Sequence, residues 1–146
     1  GSLGIMRQKE SAARLLKGSI RYSPAGNLTL TSRIGYNMIE PSRSRGMFLM
    51  QDINWKLRKI PVSVWMRYCI FSTDDWDSRL YTYENDLLHS YSIPALSDEG
   101  KRAYVMVAWK FSGHGDMRLK YAVTEFNEKS GRSSSGEIKL QVRFWF

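Results

Sequence analysis

Ile138-Lys139-Leu140-Gln141-Val142-Arg143-Phe144-Trp145-Phe146 closes the chain, and its apolar residues recur at every second position. Ile138, Leu140, Val142, Phe144 and Phe146 share one face of an extended backbone, while Glu137, Lys139, Gln141, Arg143 and Trp145 share the other. A strand built this way separates two very different surroundings, one greasy and one able to hold charge.

The same period runs back through the chain. Met117, Leu119, Tyr121 and Val123 oppose Asp116, Arg118, Lys120, Ala122 and Thr124; Ala103, Val105, Val107, Trp109 and Phe111 oppose Tyr104, Met106, Ala108 and Lys110. Tyr81, Tyr83, Leu87, Tyr91 and Ile93 alternate with Thr82, Glu84, Asp86, Ser90 and Ser92, which predicts one long strand over 79–93. A two-residue turn at Asn85-Asp86 would break that parity, although splitting the segment would make short and long loops alternate. Val62 to Ile70, Met47 to Leu57, Leu28 to Met38 and, less cleanly, Leu16 to Tyr22 complete the series. The expectation is about eight strands of ~9 to 15 residues, against ~5 to 6 in an ordinary soluble protein. A tilted strand needs ~9 to 11 residues to cross a hydrocarbon layer.

Turn chemistry separates the strands, as in Pro24-Ala25-Gly26-Asn27, Lys59-Ile60-Pro61, Ser97-Asp98-Glu99-Gly100 and Gly113-His114-Gly115. Short joints pair neighbours in order, giving an all-β, antiparallel up-and-down meander that must close or hide its edges. The predicted fold is therefore a transmembrane β-barrel, or the C-terminal part of a larger one, in a single domain over 1–146 with an irregular or appended stretch over 1–12. Gly1-Ser2-Leu3-Gly4 lacks the basic and apolar regions of a signal peptide, so the sequence reads as mature or as a fragment.

Composition narrows the function. The 146 residues carry 42% hydrophobic and 25% charged side chains, a folded balance, with 13% aromatics suited to cross-strand pairs or a membrane interface. The net charge of +8 favours an anionic partner, but the basic residues are dispersed rather than gathered into a nucleic-acid-binding tail. Cys69 is alone and the histidines are only His89 and His114, so neither a disulfide nor a thiolate or imidazole metal cluster is indicated, and no cofactor is implied. No run of ~18 apolar residues offers a transmembrane helix. Asp74-Asp75, Glu84/Asp86 and Asp98-Glu99 are the only acidic pairs for catalysis; no Ser-His pair, Gly-rich phosphate loop or metal spacing accompanies them, and the chain reads as a non-enzyme.

Faces assign roles. Arg33, Asp52, Arg67, Glu84, Asp86, Lys110, Arg118, Lys120, Lys139 and Arg143 would be costly in a dry core and suit a polar lumen, filling it with ion pairs or, in a wider barrel, favouring anions. Tyr36, Trp55, Tyr68, Tyr81, Tyr83, Trp109, Tyr121 and Phe144 read as lipid-facing or interfacial aromatics, and Trp65, Trp76 and Trp145 as further girdle candidates. Phe146, ending an alternating strand, resembles the C-terminal assembly signal of bacterial outer-membrane proteins.

Ser44-Arg45-Gly46 to Gln51-Asp52, Asp77-Ser78-Arg79-Leu80-Tyr81-Thr82-Tyr83-Glu84-Asn85-Asp86-Leu87-Leu88 and Ser92-Ile93-Pro94-Ala95 resemble the C-terminal barrel region of a Bacteroidota family of large proteins best known for an N-terminal helix-hairpin-helix segment. The similarity spans about Arg33 to Phe146. It implies an outer-membrane location, a barrel of more than eight strands and no catalytic residues; no helix-hairpin-helix sequence is present, so a nucleic-acid role does not carry over. Expected partners are the lipid bilayer or lipopolysaccharide and the barrel-assembly machinery, with a structural, interaction or porin-like passive transport role. The rival reading is a soluble up-and-down barrel with its apolar face inside around a small ligand; a third is a basic nucleic-acid-binding module.

Overall fold

A computed structural model describes residues 12–40 and 42–146. The fold is all-β. Seven long strands, β1 (Ala12–Ala25), β2 (Leu28–Glu40), β3 (Ser44–Lys56), β4 (Val62–Thr73), β7 (Glu99–Ser112), β8 (Gly115–Phe126) and β9 (Ser135–Phe144), form one antiparallel sheet in chain order. Between β4 and β7 lies an inserted segment with two short strands, β5 (Leu80–Tyr81) and β6 (Ala95–Leu96), paired only with each other. A single 3-10 turn, Glu128–Ser130, lies between β8 and β9. The irregular stretch expected over 1–12 falls outside the described residues except at Ala12, which opens β1.

The long strands carry the period of two, and their registers keep outer-face apolar residues opposite one another. Trp55 sits across from Val64, Val64 from Val107, Trp109 from Met117 and Met117 from Val142. The long strands run from 10 to 14 residues, the length inferred from the pattern.

The strand expected over 79–93 is not formed. Instead the chain makes a finger: Leu80 pairs with Leu96, Tyr81 with Ala95 and Glu84 with Ser92, with the reversal at 87–89. Ser90 N–H donates to the Leu87 carbonyl at 3.1 Å, closing a β-turn over Leu87–Ser90 in which His89 adopts a left-handed φ of 62° at the third position.

The sheet is open. Among the described residues β1 and β9 each have one paired neighbour, and β1 is exposed on both faces. At one end, the short-turn end below, the connections span 26–27, 57–61 and 113–114; at the other, the long-loop end, they span 41–43 and the two longest, 74–98 and 127–134. The finger rises from the long-loop end and folds across one face of the sheet, called the inner face below. Phe48, Met50, Cys69 and Phe71 of that face bury Leu80 and Leu96 at the finger's base, and a second cluster of Tyr104, Met106 and Ala122 packs with Trp65 nearby. The inner face is thus polar in its middle but apolar under the base of the finger.

Candidate functional site: the charged inner face

Alternation delivers the inner-face charges in register. Asp52 lies opposite Thr31 and Arg67 on the neighbouring strands, and its carboxylate accepts from Arg67 Nε at 2.5 Å, Arg67 Nη2 at 3.0 Å and Arg33 Nη1 at 2.5 Å. Arg67 also donates from Nη1 to the Tyr83 carbonyl at 2.5 Å, tying the sheet to the finger.

The finger brings its own acids to the sheet. Glu84, with no exposed surface, accepts from Arg102 Nε at 2.6 Å and Nη2 at 2.9 Å, and from Lys120 Nζ at 3.2 Å. Asp86 accepts from Lys139 Nζ at 2.8 Å, from the Leu87 N–H at 2.9 Å and from Ser90 Oγ at 3.2 Å. At the tip, Gln141 clamps Leu88 through its backbone, receiving the N–H at 3.0 Å and donating to the carbonyl at 3.3 Å. The Tyr104 hydroxyl accepts from the backbone and side-chain nitrogens of Asn85 at 3.3 and 3.2 Å. Lys120 lies 5.0 Å from the centre of the Tyr104 ring, adding a cation–π contact to its ion pairs.

Burial alone would raise the Glu84 carboxyl, but hydrogen bonds and charge from Arg102 and Lys120 hold it below the usual carboxylate range. Asp86 is likewise lowered against its burial, chiefly by Lys139. At the root of the finger, Asp75 is lowered by its hydrogen bond from Ser44 and by the Ser78 backbone N–H.

The face away from the finger carries the apolar residues. Tyr36, Trp55, Tyr68, Trp109, Tyr121 and Phe144 all lie on it, and Leu49, Ile70, Leu119, Ile138 and Leu140 are exposed there. Near the short-turn end Phe111 bridges Trp109 and Phe144 with edge-to-face ring distances of 5.7 and 5.5 Å. Gly115 makes room for that row, since a Cβ there would stand 2.6 Å from the Phe111 ring. Phe146 follows the end of β9 and is fully exposed.

Four aromatic assignments change. Tyr81 and Tyr83 belong to the finger and point away from its sheet-facing residues Leu80, Thr82 and Glu84, so they do not join the outer face. Trp65 packs beside Tyr104 and Met106 on the inner side, and Trp76 stacks on Arg79 in the inserted segment. Of the ten charged residues assigned to a lumen, all eight on the sheet alternate onto the inner face, and Glu84 and Asp86 reach it from the finger. Arg102 was missed; its parity with Tyr104 and Met106 was the available signal. No group of three or more His, Cys, Asp or Glu side chains among the described residues is placed to hold a metal. Comparison with protein-family models, characterised proteins and solved structures found no match.

Proposed function

We propose that the chain is a sector of a transmembrane β-barrel in a bacterial outer membrane, with the apolar face toward lipid, the charged face toward a lumen, and the finger lying inside it. The observation that carries this reading is the inversion of the sheet. The middle of the charged face is covered by the finger and ion-paired while the aliphatic and aromatic face lies open, with Leu49, Tyr121, Leu140 and Phe144 between 46% and 63% exposed. A contiguous apolar surface of this kind suits hydrocarbon and is a liability in water.

Two further features support it. The two longest connections, 74–98 and 127–134, lie at the same end, as external loops do in such barrels. The row of Trp109, Phe111 and Phe144 lies near the short-turn end, where an interfacial girdle belongs. On this reading the role is structural, interactive or passive transport through the lumen, and no catalytic constellation is assigned. The soluble-barrel alternative requires Val107 and Trp109 on the covered face, and it is the opposite face that the finger covers.

The test is partition. The full-length protein, refolded with phospholipid vesicles, is expected to float with them, resist alkaline extraction and migrate as a compact band until heated. A β-rich monomer that is stable in buffer without detergent and leaves vesicles empty would overturn the proposal.

A further inference from the structure

The finger covers the inner face unevenly. Its base packs on Phe48 and Met50 of β3, and its ties run to β4 through Arg67, to β7 and β8 through Arg102 and Lys120, and to β9 through Lys139 and Gln141. It leans toward β9, while β1 at the opposite edge stays exposed on both faces.

Charge is uneven in the same sense. The inner face of β1 carries Lys17 and Arg21, opposite Gly35 and Thr31 of β2, and both are exposed. No Asp or Glu occurs between Ala12 and Ile39, so β1 and the length of β2 beside it offer these cations no acid. The carboxylate next along the row from Arg21 and Thr31 is Asp52, which Arg33 and Arg67 already share. Lys17 and Arg21 thus add to a positive excess on this side of the sheet.

The finger does not supply the missing charge. Glu84 and Asp86, the only carboxylates in 80–96, are buried against the sheet by Arg102, Lys120 and Lys139. The side of the finger turned away from the sheet carries Tyr81, Tyr83, Tyr91 and Ile93, between 51% and 81% exposed. The acids of the finger therefore face the covered strands, and its open side is neutral.

We infer that the space beside β1, between its cations and the neutral side of the finger, is a passage selective for small inorganic anions. A wall carrying charge of one sign concentrates counter-ions and excludes co-ions, and basic side chains are the lining that favours anions. The inference rests on the barrel reading, which encloses that space as a lumen.

The experiment is a reversal-potential measurement on the full-length protein in planar bilayers across a potassium chloride gradient. At about 0.1 M salt, where the Debye length is about 10 Å, chloride preference is expected, and it should shrink toward about 1 M, where that length is about 3 Å. Lys17→Gln combined with Arg21→Gln should lower the chloride-to-potassium permeability ratio roughly twofold or more, and Lys17→Glu combined with Arg21→Glu should reverse the preference. Arg14→Gln, on the outer face and paired with Glu40, should leave it unchanged. Potassium preference, no preference, an unaltered ratio in the paired Gln variant, or no conductance from protein that floats with vesicles would each overturn the passage and leave the barrel standing. Protein that does not float with vesicles would overturn the barrel reading and the passage with it.

Discussion

Glu84 shows how one side chain commits a segment to its place. It is fully buried, and its two cationic partners come from different strands, Arg102 on β7 and Lys120 on β8, with Lys120 only 1% exposed. Removing the carboxylate takes the counter-charge from Arg102 and leaves Lys120, over the Tyr104 ring, only the more distant Asp86 at 3.9 Å. Glu84→Ala should therefore destabilise the fold by about 3–5 kcal/mol, the cost of breaking a buried pair from one side. Arg14→Ala, at an exposed pair, should cost under about 1 kcal/mol. The temperature at which the compact electrophoretic band is lost measures both, and equal effects would contradict the buried network. Gly46 is a second point of commitment: any Cβ would collide with the Ser78 carbonyl at the root of the finger. Gly46→Val is expected to expose that root to proteolysis while leaving the far end of the sheet protected. Charge parity made the roles of Asp52 and Arg67 legible in sequence. Phe48, Met50 and Phe71 were not legible, because they share the charged parity and become core only when Leu80 and Leu96 cover them.

At the scale of the element, the finger is where pattern and fold part company. A three-residue reversal at 87–89 keeps the alternation of the flanking arms in phase, so Tyr81, Tyr83, Tyr91 and Ile93 share a face whether the chain runs straight or folds back. A two-residue turn at Asn85-Asp86 breaks parity and does not form, but parity is blind to the reversal centred on Leu88, which divides the segment into two short strands. The ionic ties of the finger set its pH response. Glu84 and Asp86 have lowered folded-state values, so their contribution is complete above the ordinary carboxylate values of about 4 and is lost only as the pH falls below them. A nitroxide at His89→Cys, on the tip, should be immobile from pH 7 to about 5 and gain mobility only in stronger acid; release near pH 6 would contradict the pairing. Replacing 80–96 by a short Gly-Ser linker should retain strand content by circular dichroism and raise any single-channel conductance, because the finger occupies the inner face.

At the scale of the molecule, the strand count carries an argument that the sequence could not. β1 and β9 both run from the long-loop end to the short-turn end, so seven strands closing on themselves would pair their edges in parallel. An all-antiparallel barrel requires an odd number of further strands between these edges. Cysteine pairs joining Leu16, Gly18 or Ile20 of β1 to Leu140 of β9 should yield no intramolecular disulfide, since bridging needs Cα atoms within about 7 Å; a high-yield bridge would mean self-closure. Strand period and length made the meander readable, whereas closure depends on counting strands correctly, and the false strand over 79–93 had raised the count to about eight.

The central claim is that the apolar face meets lipid, and Trp109 reports on it directly. Two variants, one keeping only Trp109 and the other only Trp65, would be reconstituted into vesicles of phospholipid brominated along the acyl chains. Fluorescence of the Trp109 variant should be strongly quenched while that of the Trp65 variant, packed beside Tyr104 and Met106, should be nearly unaffected. Quenching of Trp65 in preference to Trp109, or of neither in folded protein, would contradict the orientation of the sheet.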